Sequence, residues 1–439
     1  MRYYHPNDEE LLSDQTNENE DIHKHLIEPC KNILLKVFDG YKGHVSIKLW
    51  NNEIIVGAED ASSSLVIKTP RILVDIMSKN SFIKLAEAHL RNELSAEGDI
   101  ERIFDLLDFL QERKFSLSEK AQLFRMLLKV KRCVITGENP VGKNLSRRIN
   151  SRSSISHHYD VHNDFYSLFL DTEMVYSCAY FENYEEKKQS LDKAQQDKLE
   201  YICKKLRLKK GEKLLDIGCG WGGLAFWAAR HYGVQVHGVT LSQEQLDYAT
   251  QRAKKLNLDQ LTTFELKDYR ELDEDEYDKI VSVGMFEHIG IANFSNYFAT
   301  VSRLLKNGGL FLNHGITNDT GWRDTPSTRF INTYIFPDGE LARVSDVTAA
   351  MENQSLEILD VEALRPHYAL TLRHWIRNLE RNKKKAIAIA GERIYRLWQL
   401  YMAGSAHNFT KGSTGLYQIL ASKNRQPWPL PLRREDLYH

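Results

Sequence analysis

Apolar positions recur in two different ways along this chain, and the change between them marks its organisation. Residues 1–25, which include NDEELLSDQTNENEDIHKH, are polar and acidic with no sustained period, which predicts a mobile tail. From 26 an amphipathic stretch (LIEPCKNILLKVF) gives way to strand-like pieces, HVSIKLW, EIIVGA and SLVIKT. Helical spacing follows at KLAEAHLRN and IERIFDLLDFLQERK. A compact α+β domain over 26–130 is the expectation. It lacks a cluster of His, Cys and carboxylate dense enough for catalysis, so binding or scaffolding suits it better. Residues 131–156 are rich in Gly, Asn, Ser and Arg with few apolar anchors, as an inter-domain linker should be. Its cations Lys143, Arg147, Arg148 and Arg152 fit either a solvated connector or a contact to lipid phosphates.

The second domain, 157–439, reads differently. Between 190 and 316 the runs KLLDIG, VQVHGVT, TTFELKD, DKIVSVGMF and GLFLNHGI alternate with segments of helical spacing such as LDYATQRAKKLNL. Such alternation predicts an α/β fold, a mostly parallel sheet covered by helices on both faces. SLEILDVEAL and GLYQILASK would complete the sheet. The insert between them, 366–411, is helical in pattern and full of aromatics, and is expected to cap the site.

Composition narrows the partner. A chain of 439 residues with 42% hydrophobic content can bury more than one core. A net charge of -1 gives no global field for nucleic acid. The five cysteines, Cys30, Cys133, Cys178, Cys203 and Cys219, are scattered without a CxxC pair, which suits free thiols in a reducing cytoplasm. Neither a secretory layout nor an apolar run of about 18 residues is evident, so a soluble or peripheral protein is expected.

The chemistry begins at Asp216-Ile217-Gly218-Cys219-Gly220-Trp221-Gly222-Gly223, between a strand-like run and the helix-compatible LAFWAARHY. Glycine at such a turn lets the backbone approach a ligand, and the helix start offers free N–H groups. A dinucleotide site would want GxGxxG and an acid closing the second strand. That strand ends HGVTLS instead, which disfavours NAD. The loop resembles the first motif of class I S-adenosylmethionine methyltransferases, where it packs against the methionine part of the cofactor.

Further segments carry a narrower likeness. His158-Tyr159-Asp160 through Asn163-Asp164-Phe165-Tyr166, Tyr176-Ser177-Cys178-Ala179-Tyr180, Gly238-Val239-Thr240-Leu241-Ser242-Gln243-Glu244-Gln245, Gly284-Met285-Phe286-Glu287-His288-Ile289-Gly290 and His367-Tyr368-Ala369 occur in that order around LDIGCGWGG. Together they resemble cyclopropane-fatty-acyl-phospholipid synthases and the related mycolic acid cyclopropane synthases, over about 155–425. The resemblance implies a Rossmann-like, seven-stranded catalytic domain and a smaller lipid-associated N-terminal domain. Cofactor contacts would come from Tyr176, Ser177, Asp216, Gly218, Gly220, Thr240, Leu241, Ser242 and Gln245. It also implies a bound bicarbonate as base, held by Cys178, Glu287, His314 and Tyr368 with the Ile316 backbone as a further donor.

The implied reaction makes sense of these residue types. An alkene attacking a sulfonium methyl leaves a carbocation, best stabilised in a dry pocket of π-faces and a carboxylate. Tyr166, Phe181, Phe286 and Tyr368 suit such a wall, and equally suit a structural core. Glu287 and His314 follow strand-like runs, and ligands of open α/β sheets bind at carboxyl strand ends. No metal is expected, since Glu287-His288 lacks a second ligand pair; His288 reads as structural. Cys178 has no adjacent base, so a covalent role is not expected. Where many family members carry a cysteine after Tyr401-Met402-Ala403-Gly404, this chain has Ser405.

The expected partner is an unsaturated phospholipid in a bilayer, met at the inner face of the membrane by a cytoplasmic protein, with a homodimer implied by relatives with the extra domain. Arg381, Lys383, Lys384 and Lys385 beside AIAIAGERIYRLW fit either a contact to an anionic leaflet or a solvated helix start. Two other outcomes stay open: methylation without ring closure, and a lipid-binding scaffold without turnover.

Overall fold

The computed structural model describes residues 24–76, 81–137, 162–185, 188–272, 276–337, 339–423, 428 and 430–438. Most of the expected tail, the linker cations Lys143 to Arg152, and His158-Tyr159-Asp160 lie outside these. The chain divides into two compact units, residues 1–159 with Glu392–Leu400, and residues 160–391 with 401–439.

The first unit is the expected α+β domain. A helix over 24–37 precedes β1 (Val45–Lys48), β2 (Ile54–Val56) and β3 (Ser63–Ile67), joined by β4 (Leu94–Glu97) in the order β2-β1-β3-β4. β1 and β3 run parallel, and the outer pairs are antiparallel. The apolar faces of strands and helices meet in a core including Cys30, Ile33, Val45, Ile47, Ile67, Leu127 and Val130. Two boundaries differ from the sequence reading. The helix Leu117–Gly137 runs seven residues past 130, because Met126, Leu127, Val130 and Val134 keep its apolar stripe going. Residues Glu392–Leu400, inside the expected cap, group with this unit.

The second unit holds β5 (Lys213–Ile217), β6 (Gln235–Thr240), β7 (Thr262–Leu266), β8 (Tyr277–Val283), β9 (Leu305–Asn318), β10 (Leu356–Ala363) and β11 (Thr414–Lys423). They form one sheet in the order β10-β11-β9-β8-β5-β6-β7. Six strands run in one direction, and β11 alone of the seven runs antiparallel to its neighbours, β9 and β10. Neighbouring residues point to opposite faces of a strand. Leu214, Val281, Leu312 and Leu420 therefore join one buried cluster, while Leu215, Ile280, Phe311 and Ile419 join another. Covering both faces explains why these strands read as continuous apolar runs. The strand order reverses between β5 and β8, which opens a crevice at their carboxyl ends.

Candidate active site

The loop after β5 is a glycine turn in the expected place. Gly218, Gly220 and Gly222 all have positive φ, at 79°, 55° and 85°, a conformation that L side chains resist. The amides of Gly218 and Cys219 donate to Val239 O at 2.9 and 3.0 Å, tying the loop to the end of β6. Asp216, on β5, is buried, and desolvation pushes its carboxyl up to about 7. At the end of β6 Thr240 Oγ1 donates to Gln245 Oε1 at 2.7 Å and accepts from the Ser242 amide at 3.1 Å. Ser242 caps the helix Gln243–Lys255, and Leu241 is 75% exposed. Trp221 Nε1 donates to Asn163 Oδ1 at 2.6 Å, while its ring lies 5.0 Å from that of Tyr166.

A second group is buried, with Cys178 and Glu287 both close enough to act on Tyr368. Cys178, Glu287, His314 and Tyr368 are all buried. Glu287 stands on a tight turn, Phe286–His288, just after β8. Its Oε1 accepts the Ile316 amide at 2.7 Å and its Oε2, fully buried, has no partner. Desolvation pushes this carboxyl up to about 7, against the pull of the Ile316 amide. The Ile316 amide is thus engaged by Glu287, not left as a separate donor for an anion. Gly315 makes the approach possible, since a Cβ there would overlap the Phe286 ring.

His314 lies beside the end of β8, where Gly284 N donates to its carbonyl at 2.8 Å. Gln418 Nε2, on β11, stands 3.2 Å from His314 Nδ1. With that amide donating, the remaining imidazole proton sits on Nε2, which is buried without a partner. Burial first, and then Lys198 and Lys205, hold this imidazole well below its ordinary pKa, so it stays neutral.

Tyr368, on the helix Arg365–Arg381, has its phenol pushed upward by burial, with Tyr401, Cys178 and Glu287 acting on it. Thr371, one turn on, accepts the Ala179 amide at 3.0 Å and so holds the strand-like segment that carries Cys178. The Cys178 thiol donates to Ala179 O at 3.2 Å, and desolvation drives its pKa far up. A thiol so disposed is a donor and not a thiolate nucleophile.

The aromatic wall differs from the one expected. Tyr176 stacks on Trp375 at 5.2 Å, and Tyr368 meets the same indole edge-on at 6.0 Å. Tyr166 and Phe169 pack against Tyr176. Phe286 instead belongs to the core beneath the sheet with Phe294 and Phe298, and Phe181 stacks on His374 at 5.4 Å. His288 packs against Phe336 at 5.0 Å, as a structural histidine would. Trp375 escaped the sequence reading, although Tyr368, Thr371 and Trp375 stand at helical spacing on one face. Gln195 and Lys198 escaped it too; both are buried, and a polar residue on an amphipathic helix ordinarily faces water.

This sheet order, with a glycine loop after its first strand, β5, is that of a class I S-adenosylmethionine-dependent methyltransferase. The chain belongs to the family described as mycolic acid cyclopropane synthetase, whose model matches residues 146–419. A probable fatty acid methyltransferase of Pseudomonas putida is 40% identical over 401 residues, covering 89% of this chain and 95% of its own. The cyclopropane-fatty-acyl-phospholipid synthase of Escherichia coli K12 is 40% identical over 266 residues, 61% of this chain and 66% of its own. A mycolic acid cyclopropane synthase solved in complex with SAH and CTAB is 34% identical, with a TM-score of 0.57 over 62% of this chain and 98% of that one. S-adenosylmethionine is the co-substrate. Among the described residues no helix is long and apolar enough to cross a membrane.

Proposed function

We propose that this methyltransferase acts on the cis double bond of an unsaturated phospholipid acyl chain and closes it to a cyclopropane. The observation that carries this reading is the pair of buried, unpartnered polar atoms, Glu287 Oε2 and His314 Nε2, in a site walled by Tyr176, Tyr368 and Trp375. The alkene π electrons form a bond to the sulfonium methyl carbon as the sulfur–carbon bond breaks, releasing S-adenosylhomocysteine. The charge left on carbon is then stabilised by ring faces in a site that excludes water. Loss of one proton from the added methyl group frees the electron pair that closes the ring.

The donor set fits a small oxyanion: the His314 N–H and the Tyr368 hydroxyl donate, the Cys178 thiol would join them by turning from Ala179 O, and Glu287 Oε2 accepts from a hydroxyl. Bicarbonate held by these four residues would supply the proton acceptor. Glu287 fixes orientation, and its own position is set by the Ile316 amide.

The substrate is a bilayer lipid in this reading, met peripherally at the inner face of the membrane, by a protein expected to be a homodimer. Support comes from the exposed Arg381 at the end of the helix Arg365–Arg381 and from the exposed Lys383, Lys384 and Lys385 on the short helix Lys383–Ala390, where Ile389 is 42% exposed. A second reading, methylation without ring closure, draws support from the Pseudomonas putida relative, described only as a fatty acid methyltransferase.

One experiment separates these. The protein is incubated with unsaturated phospholipid vesicles and methyl-labelled S-adenosylmethionine, and the acyl products are identified by chromatography and mass spectrometry. Label in a cyclopropane supports the first reading and label in a branched chain the second. Lipid without label sinks both.

A further inference from the structure

The helix Leu191–Lys205 presents Ala194, Gln195 and Lys198 to the segment that carries Tyr176 and Ser177. Residues three and four apart share a helix face, and this face makes four bonds to that segment. Gln195 Nε2 donates to Ser177 O at 2.8 Å and Val175 O at 3.3 Å. The Tyr180 amide donates to Ala194 O at 2.9 Å. Lys198 Nζ donates to Ser177 Oγ at 3.0 Å.

Lys198 is only 2% exposed. Burial lowers its pKa to about 8, with Asp171, Cys178, Asp216 and Cys203 acting to raise it. Asp171 is already committed, its oxygens accepting the Glu173 and Val175 amides at 2.9 Å each. Asp216 acts from β5 at the mouth of the glycine loop, and His314, the other titratable group Lys198 acts on, is neutral. A buried ammonium in this setting is stabilised by an anion brought within its reach.

Hydrogen-bond polarity says where that anion would sit. An ammonium carries donors only, so Ser177 Oγ accepts from Lys198 and its own proton points elsewhere. The segment lies against the glycine loop: a Cβ on Gly223 would stand 2.8 Å from Glu173 O and 2.9 Å from Val175 Cγ2. A hydroxyl donor backed by a buried cation therefore stands two residues along from Val175, which borders the cofactor turn.

We infer that Lys198, acting through Ser177, positions the carboxylate at the amino-acid end of S-adenosylmethionine, and that this relay makes the site select adenosyl thioethers bearing that carboxylate. The inference rests on the methyltransferase assignment and is independent of which lipid is modified. Lys198 is a positioning residue here and touches no reacting atom.

The test compares S-adenosylhomocysteine with 5′-methylthioadenosine, which keeps the adenosyl thioether and lacks the amino-acid end. Both are titrated calorimetrically into the full chain, Lys198→Met and Ser177→Ala. Each substitution should weaken S-adenosylhomocysteine at least tenfold and change 5′-methylthioadenosine less than twofold. A residue that merely supports the fold would weaken both ligands alike, and that result overturns the inference. So does an undiminished preference for S-adenosylhomocysteine in the substituted proteins. Should Lys198→Met fail to fold, Ser177→Ala carries the same readout, since it removes a single oxygen. An unaltered chain that binds neither ligand would count against the methyltransferase assignment itself, and so is told apart from failure of the relay.

Discussion

The Ile316 amide and the Glu287 carboxylate face each other at 2.7 Å across the ends of β9 and β8. One carboxylate oxygen is spent on holding the side chain in place, and the other is left for chemistry. Replacing Glu287 by Gln keeps an oxygen for the amide and turns the second position into a donor. Turnover should fall by at least a hundredfold, about 3 kcal/mol of transition-state stabilisation, with S-adenosylhomocysteine affinity changed less than threefold. Near-normal turnover in Glu287→Gln, measured beside calorimetric binding, would remove Glu287 from the mechanism.

The same carboxyl predicts a pH-dependent stability. Burial raises it from 4.5 to about 7 in the folded chain. Between those values the unfolded chain has released a proton that the folded one retains, so folding loses stability as pH rises from about 4.5 to about 7. Glutamine has no such cost. Glu287→Gln should therefore melt higher than the parent at pH 8, by on the order of 5 °C, with the gap nearly closed at pH 5. Thermal unfolding at the two pH values checks this, and a gap of the opposite sign refutes it.

Gly315 offers a steric test. A methyl group at this position overlaps the Phe286 ring, and the ring is locked among Phe294 and Phe298 in a close-packed core. Gly315→Ala should cost about 1–3 kcal/mol of stability. Because Glu287 follows Phe286, turnover should fall further than the stability loss explains. Chemical denaturation and turnover on the folded fraction measure the two effects separately.

The basic helix is tested by reversing its charge. Replacing Lys383, Lys384 and Lys385 with Glu should reduce co-sedimentation with anionic vesicles by tenfold or more at low salt, while S-adenosylhomocysteine binding stays the same. Unchanged vesicle binding would take this surface out of the membrane contact.

Much of the catalytic domain was legible because a buried parallel sheet writes continuous apolar runs, and its ligand loops follow them at fixed places. Asp216 to Gly223, Thr240 to Gln245 and Glu287 all lie at strand ends for that reason. β4 was not legible: Leu-Ser-Ala-Glu has one strongly apolar residue and owes its place to pairing with β3. Phe286 read as a wall of the site, since nothing in its neighbours shows that Gly315 admits it to the core. Lys198 and Gln195 were hidden for the opposite reason. Their burial depends on Ser177 and Val175 folding back over the helix, a tertiary contact that leaves no periodic trace in the sequence.

The placement of β11 has a consequence for how the molecule is made. This last strand is inserted between β9 and β10 and brings Gln418 to His314. On the ribosome, the nascent sheet ends at a bare β9 edge until Thr414–Lys423 has emerged. Until then His314 lacks its Gln418 partner, and the open β9 edge is a template for pairing with another chain.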